Sequence, residues 1–377
     1  MFDRTRIQSF RGALLCGAAA GALLLVTAPP APAQGLGAGG GVFTATNDAQ
    51  GNAVVYFQRR PSGRLDFQGV HPTGGLGSGA GLGNQGAVTL DAPGTHLLAV
   101  NAGDDSVSAF RVRPRGLDML DRASSGGTQP ISVTVHGDLV YVLNAGGDGN
   151  ISGLQLDANG DLTPLAGSTQ PLSGSGTGPA QIAFTPGGRF LVVTEKATNT
   201  IVTYPMGPTG LPGAPVVSSS AGVTPFGFSF GPRSRLLVSE AAGGMAGMST
   251  VSSYDILSSG ALQPITAALP TTQSAACWLV STHSLRYSYV TNTGSGVVTG
   301  LANSRNGSLQ LLQPTGATAR SGNAPIDAAV SRDDRFLYVL NGADATISGY
   351  AIQPGGGLTL LDTMGGLPPS VNGLAVR

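Results

Sequence analysis

Glutamate occurs only twice in the 377 residues, and both copies close a short apolar run: Phe190-Leu191-Val192-Val193-Thr194-Glu195 and Leu236-Leu237-Val238-Ser239-Glu240. A carboxylate fixed at a strand end can act as a general base toward water or offer hard oxygen to a divalent cation such as Ca²⁺. Comparable runs end in Asn101, Asn144, Asn292 and Asn341, whose amides could share a ligand or a cation with the carboxylates. Gln181 and Asp327 follow Pro179 and Pro325 by two residues at the start of other apolar runs, and they extend the candidate ligand-binding set. A second reading applies to all of these positions. Asn and Glu at a strand end also satisfy loop backbone, and Asn tolerates turn geometry.

The elements that must position these residues repeat. The unit is clearest at residues 178–211: Gly-Pro-Ala-Gln-Ile-Ala-Phe, Pro-Gly-Gly-Arg, Phe-Leu-Val-Val-Thr-Glu, Asn-Thr-Ile-Val-Thr-Tyr, then Gly-Leu. Apolar runs of five or six residues separated by Gly, Pro, Asn and Asp are strands joined by tight turns. The end of the second strand recurs seven times, as Thr46-Asn47, Val100-Asn101, Leu143-Asn144, Thr194-Glu195, Ser239-Glu240, Thr291-Asn292 and Leu340-Asn341. A Gly followed closely by Leu recurs seven times as well, from Gly63 with Leu65 to Gly357 with Leu358. Such spacing fits a propeller blade of about 40 to 50 residues. The predicted fold is therefore all-β, a seven-bladed β-propeller of four-stranded antiparallel blades.

The ends of the chain carry complementary halves of one blade. The first unit begins at its second strand, Val42-Phe43-Thr44-Ala45-Thr46, while residues 369–376 have a first-strand pattern with no second strand after it. A C-terminal strand that completes the first blade would close the ring and remove an open sheet edge.

Ahead of the propeller, Arg4, Arg6 and Arg11 precede the apolar residues 13–27, and Ala31-Pro32-Ala33 forms a small-x-small cleavage pattern. This predicts a signal peptide over 1–33, a Gly-rich linker over 34–40 and the propeller over 41–377, with export to the periplasm or the medium. The apolar run is short of the roughly 20 residues that span a bilayer. Cys16 lies inside it, so the mature chain has Cys277 alone and no internal disulfide. Gly numbers 59, Pro 25, and charged residues make up 11% with no net charge. That composition lacks the basic face a nucleic-acid partner requires. A monomer is expected.

Tyr141-Val142-Leu143-Asn144, Tyr289-Val290-Thr291-Asn292 and Tyr338-Val339-Leu340-Asn341, with hairpins such as Ser331-Arg332-Asp333-Asp334-Arg335-Phe336-Leu337, resemble the seven-bladed lactonase family. That family includes 6-phosphogluconolactonase and the carboxymuconate lactonizing enzymes, and the resemblance runs from Gly41 to Arg377. It implies a site on one face of the ring: a His after Pro at an inner-strand start, an Arg, and a Glu ending a second strand. Glu195 and Glu240 match the glutamate. Pro130-Ile131 and Pro179-Ala180 stand where the family shows Pro-His, and Phe226-Gly227 where it shows Arg-His.

Arg122 and Arg320, in loops leading to the third and seventh blades, are the candidate oxyanion donors for a lactonase. The sole tryptophan, Trp278, interrupts the inner-strand pattern and is a candidate pocket floor. Two functions follow from the residues. One is a propeller that binds a small molecule or a protein on the channel-mouth face without the family's catalytic set. The other is a lactone hydrolase or lactonizing enzyme using Glu195 and Glu240 as base or as cation ligands.

Overall fold

The computed structural model describes residues 40–377. The expected signal peptide 1–33, with Cys16, and the linker up to residue 39 lie outside the described residues.

Seven antiparallel sheets follow one another around a ring. Their innermost strands are Val88–Leu90, Pro130–His136, Pro179–Phe184, Pro225–Phe230, Ala276–Ser281, Pro325–Val330 and Asn372–Val376. In the fourth blade the order outward is Pro179–Phe184, Phe190–Glu195, Thr200–Pro205 and Val216–Ser219. The third and sixth blades split the outermost position between two short segments.

The first blade closes as the terminal half-patterns predict. Asn372–Val376 is its innermost strand, with Val376 opposite Val42, Ala375 opposite Phe43 and Asn372 opposite Ala45. The Thr44 hydroxyl adds a bond to the Gly373 carbonyl at 2.6 Å.

Alternation along the strands puts apolar side chains between neighbouring blades. Phe43, Tyr56, Val88, Leu97 and Phe110, for example, pack the first blade on the second. The two repeated series of the sequence meet in these seams. Tyr141, Tyr289 and Tyr338 are fully buried. Each phenol donates to a carbonyl of the next blade's outer turn: Gly210 at 2.7 Å, Gly356 at 2.9 Å and Gly63 at 2.6 Å. Gly63 and Gly210 have φ of 86° and 78°, a left-handed conformation that glycine adopts without strain. A buried phenol needs an acceptor, so tyrosine and turn glycine recur together.

Candidate functional site

Inner strands begin, and second strands end, on the same face of the ring. Pro179 lies opposite Glu195, Pro225 opposite Glu240 and Pro325 opposite Asn341. Both glutamates are fully buried. Glu195 accepts the Ser173 backbone N–H at 2.9 Å and the hydroxyls of Ser173, Thr198 and Thr200. Glu240 accepts the Gly222 N–H at 3.0 Å and hydroxyls from Ser220, Thr250 and Tyr254. Burial raises the Glu240 carboxyl, and these donors only partly offset it.

The asparagines make equivalent contacts. Asn341 accepts from Ser321 and the Gly322 N–H and donates to Thr346 and Ser348. Asn144 donates to the Ser125 carbonyl and to Asn150 and Ser152. Asn101 joins Asn52 to Ser106 and Ser108, and Asn292 donates to Thr299. In five of these six positions, all but Asn292, the side chain ties its own blade to a segment entering from the preceding blade or to the adjoining loop.

A strap, residues 73–87, runs from the outer edge of the first blade to the inner strand of the second and crosses this mouth of the channel. Asn47 holds its start, accepting the Ser78 N–H at 2.9 Å and donating to the Ala80 carbonyl at 2.7 Å. Its far end bonds to three other blades. Asn84 donates to the Ile131 carbonyl, and the Gln85 N–H donates to Ala180 at 3.0 Å. Gln85 Nε2 donates to the Leu279 carbonyl at 3.1 Å, while its Oε1 accepts the Leu279 N–H at 3.2 Å. Trp278 Nε1 donates to the Asn84 carbonyl.

The sole lysine, Lys196, completes the strap's anchorage. Its ammonium donates to the Gly83 and Pro179 carbonyls and lies 4.7 Å from the centre of the Phe226 ring, a cation–π contact. Burial lowers it to about 8. Phe226 packs on Trp278 with ring centres 4.9 Å apart. Burial also pushes the neighbouring Cys277 thiol up to about 11.

The strap therefore bonds to main chain at two of the positions where the resemblance implied catalytic side chains and packs against a third. Ile131 and Ala180 receive Asn84 and Gln85, and a Cβ on Gly227 would stand 2.2 Å from Gln85 Oε1. The space a Gly227 side chain would need is taken by Gln85 and by the main chain of Cys277 and Trp278.

Beneath the strap the channel forms a cavity of about 290 Å³. Its walls are the later residues of the inner strands, among them Leu90, Ser281, Val330 and Val376, so it opens toward the hairpins on the opposite face. Two residues singled out from the sequence line its depth, Gln181 and Asp327, together with Gln85 of the strap. Gln181 is bonded twice to the fifth blade, accepting from the Phe228 N–H at 2.7 Å and donating to its carbonyl at 3.0 Å. Asp327 is 2% exposed, and burial raises its carboxyl well above the usual range despite N–H donors from Ala328 and Leu374.

The arginines require a correction. Arg122 and Arg320 are not in loops at the channel mouth. They lie in the outermost strands Gly116–Ser124 and Ala319–Arg320: the first runs on as far as Ser124, and the second is a separate two-residue segment that pairs with Val297 and Val298. Arg122 pairs with Asp104 at 2.6 Å, with its side chain 41% exposed. Among the described residues no three His, Cys, Asp or Glu side chains gather as a metal site, and no helix is long and apolar enough to cross a membrane.

Solved structures share this architecture. A protein from Lactobacillus plantarum is 19% identical, with a TM-score of 0.72 over 90% of this chain and 99% of that one. The periplasmic gluconolactonase of Pseudomonas aeruginosa is 16% identical, with a TM-score of 0.72 over 89% and 98%. A candidate 6-phosphogluconolactonase of Bacteroides uniformis is 16% identical, with a TM-score of 0.70 over 88% and 98%. At such identities these likenesses establish the fold alone. No curated protein matches the chain. The family model of the seven-bladed β-propeller lactonases matches residues 73–369, and with the seven closed blades this places the chain in the lactonase family.

Proposed function

We propose that this propeller is an exported binding protein and not a lactone hydrolase, and that its ligand is a small molecule entering the channel from the hairpin face. The observation that supports this most directly is the strap. Asn84 and Gln85 bond to main chain at Ile131 and Ala180, and Gln85 stands against Gly227, three positions that lack the side chains the family mechanism needs. On this reading Glu195 and Glu240 hold the loops that enter the fourth and fifth blades, and a general base there has no route to substrate. Asn101, Asn144 and Asn341 serve the same purpose, Asn292 bonds within its own blade, and Trp278 carries the strap. Gln181 and Asp327 remain as ligand-facing residues in the open half of the channel.

Lactone hydrolysis is the competing reading. It has the family in its favour, together with a gluconolactonase and a candidate 6-phosphogluconolactonase among the similar structures. The two separate in one experiment. The chain without residues 1–33 is assayed against a panel of sugar lactones, with and without Ca²⁺, alongside Ser229→Trp, which places a large ring at the cavity wall. The expected result is no turnover under either condition, and a thermal shift by sugars or sugar acids that Ser229→Trp abolishes. Turnover that Glu240→Gln removes would overturn the proposal.

A further inference from the structure

Neighbouring inner strands are joined around the channel by side chains two residues past the strand start. Ser132 Oγ accepts the Ile182 N–H of the fourth blade at 3.2 Å. Gln181 serves both the N–H and the carbonyl of Phe228 in the fifth. The fifth blade has Gly227 at this place, and Gln85 of the strap serves the N–H and carbonyl of Leu279 in its stead. The seventh blade has Asp327, which accepts the Ala328 N–H of its own strand at 2.8 Å and faces the Leu374 N–H of the C-terminal strand at the cavity wall. This is the seam where the ring closes.

An amide meets both a donor and an acceptor across such a seam. A carboxylate meets only donors, whereas a carboxylic acid, with its O–H, meets both. We propose that Asp327 makes the closing seam sensitive to pH: protonated, it joins the seventh blade to the C-terminal strand as the glutamines join theirs, and ionised, it loosens that seam and the channel wall the seam forms.

The surroundings support the acid form. Asp327 is the one ionisable side chain lining the cavity. The strands packed on it carry Cys277, Tyr287, Tyr289 and Tyr338, and Asn372–Val376 carries none. No cationic group acts on the carboxyl, and burial drives it upward. A buried acid without a positive partner keeps its proton.

The linkage has a definite sign. The folded state holds the Asp327 proton more tightly than the unfolded chain, whose aspartates ionise near pH 4. Stability contributed by the acid form is complete below that pH and is lost as pH rises through the higher folded value.

Melting temperatures of the wild type and Asp327→Asn, measured from pH 4 to pH 8 without ligand, test the proposal whether or not the channel binds anything. Asparagine supplies the amide seen at the other seams and cannot ionise. The expected result is a variant matching the wild type near pH 4 and exceeding it by a few degrees at pH 8. A gap that does not change with pH would overturn the inference, and so would a variant less stable throughout. If the variant fails to fold, the ¹³C carboxyl signal of Asp327 in the wild type decides, and titration at an ordinary aspartate value would overturn the inference equally.

Discussion

The two mouths of the channel are built from the same seven inner strands, yet one is sealed and the other open. On the sealed side the ionisable groups and the tryptophan have partners inside the protein: the glutamates take loop donors, Lys196 takes strap and strand carbonyls, and Trp278 takes Asn84. On the open side short hairpins leave the strand ends facing a cavity, with Asp327 at its depth. Symmetric strands therefore do not make symmetric mouths. One long connection is enough to convert a pore into a single-ended pocket.

Removing the strap tests the contrast most severely. Replacing Gly75–Gln85 with a short Gly-Ser link strips partners from Trp278, Lys196 and Leu279, each worth about 1 to 3 kcal/mol when buried. A loss of roughly 5 kcal/mol in denaturant unfolding is expected, with red-shifted emission from the sole tryptophan. Unchanged emission would mean that the strap does not cover Trp278 in solution.

A smaller effect is expected at the glutamates. Glu195→Gln and Glu240→Gln keep size and one acceptor while turning the other oxygen into a donor among hydroxyls that can rotate. We expect about 1 kcal/mol of destabilisation for each, with ligand-induced thermal shifts at the open mouth unaltered. A variant with normal stability and lost ligand response would return these residues to a site.

The smallest effect belongs to the outer arginines. Arg122→Ala breaks an exposed pair with Asp104 and should cost less than about 1 kcal/mol. Arg320→Ala should behave alike, as Arg320 is exposed. Any change in ligand response from either would place the open pocket's chemistry on the rim.

How much of this could be read beforehand follows from the range of each interaction. Blade count and ring closure were legible because strand alternation and turn chemistry are local and repeat seven times. Gln181 and Asp327 were legible as strand-start residues, since their place in the repeat sends them to the channel. The strap was not. Its contacts join Gln85 to Leu279, 194 positions apart, and no repeated pattern encodes a single long-range bond. Two signals could have disclosed it: a connection at 73–87 longer than the usual two to six residues, and the bare Gly227 at a position where other blades carry a side chain. The outer arginines misled because outermost strands are half-exposed and mixed in character, so their ends blur into loop.

Closing the ring through its last strand also orders events in time. The bond from Thr44 to Gly373 spans 329 positions, so joining these segments costs about 5 kcal/mol of chain entropy, against about 1.5 for a tight hairpin. The hairpins and their seams can assemble cheaply one after another. The junction between Gly41–Ala45 and Asn372–Val376 forms last because nothing repays it until both flanking blades stand in place. It is correspondingly the first to part, and amide exchange should find the shallowest protection of any inner strand at Ala375 and Arg377, whose N–H groups face the first blade.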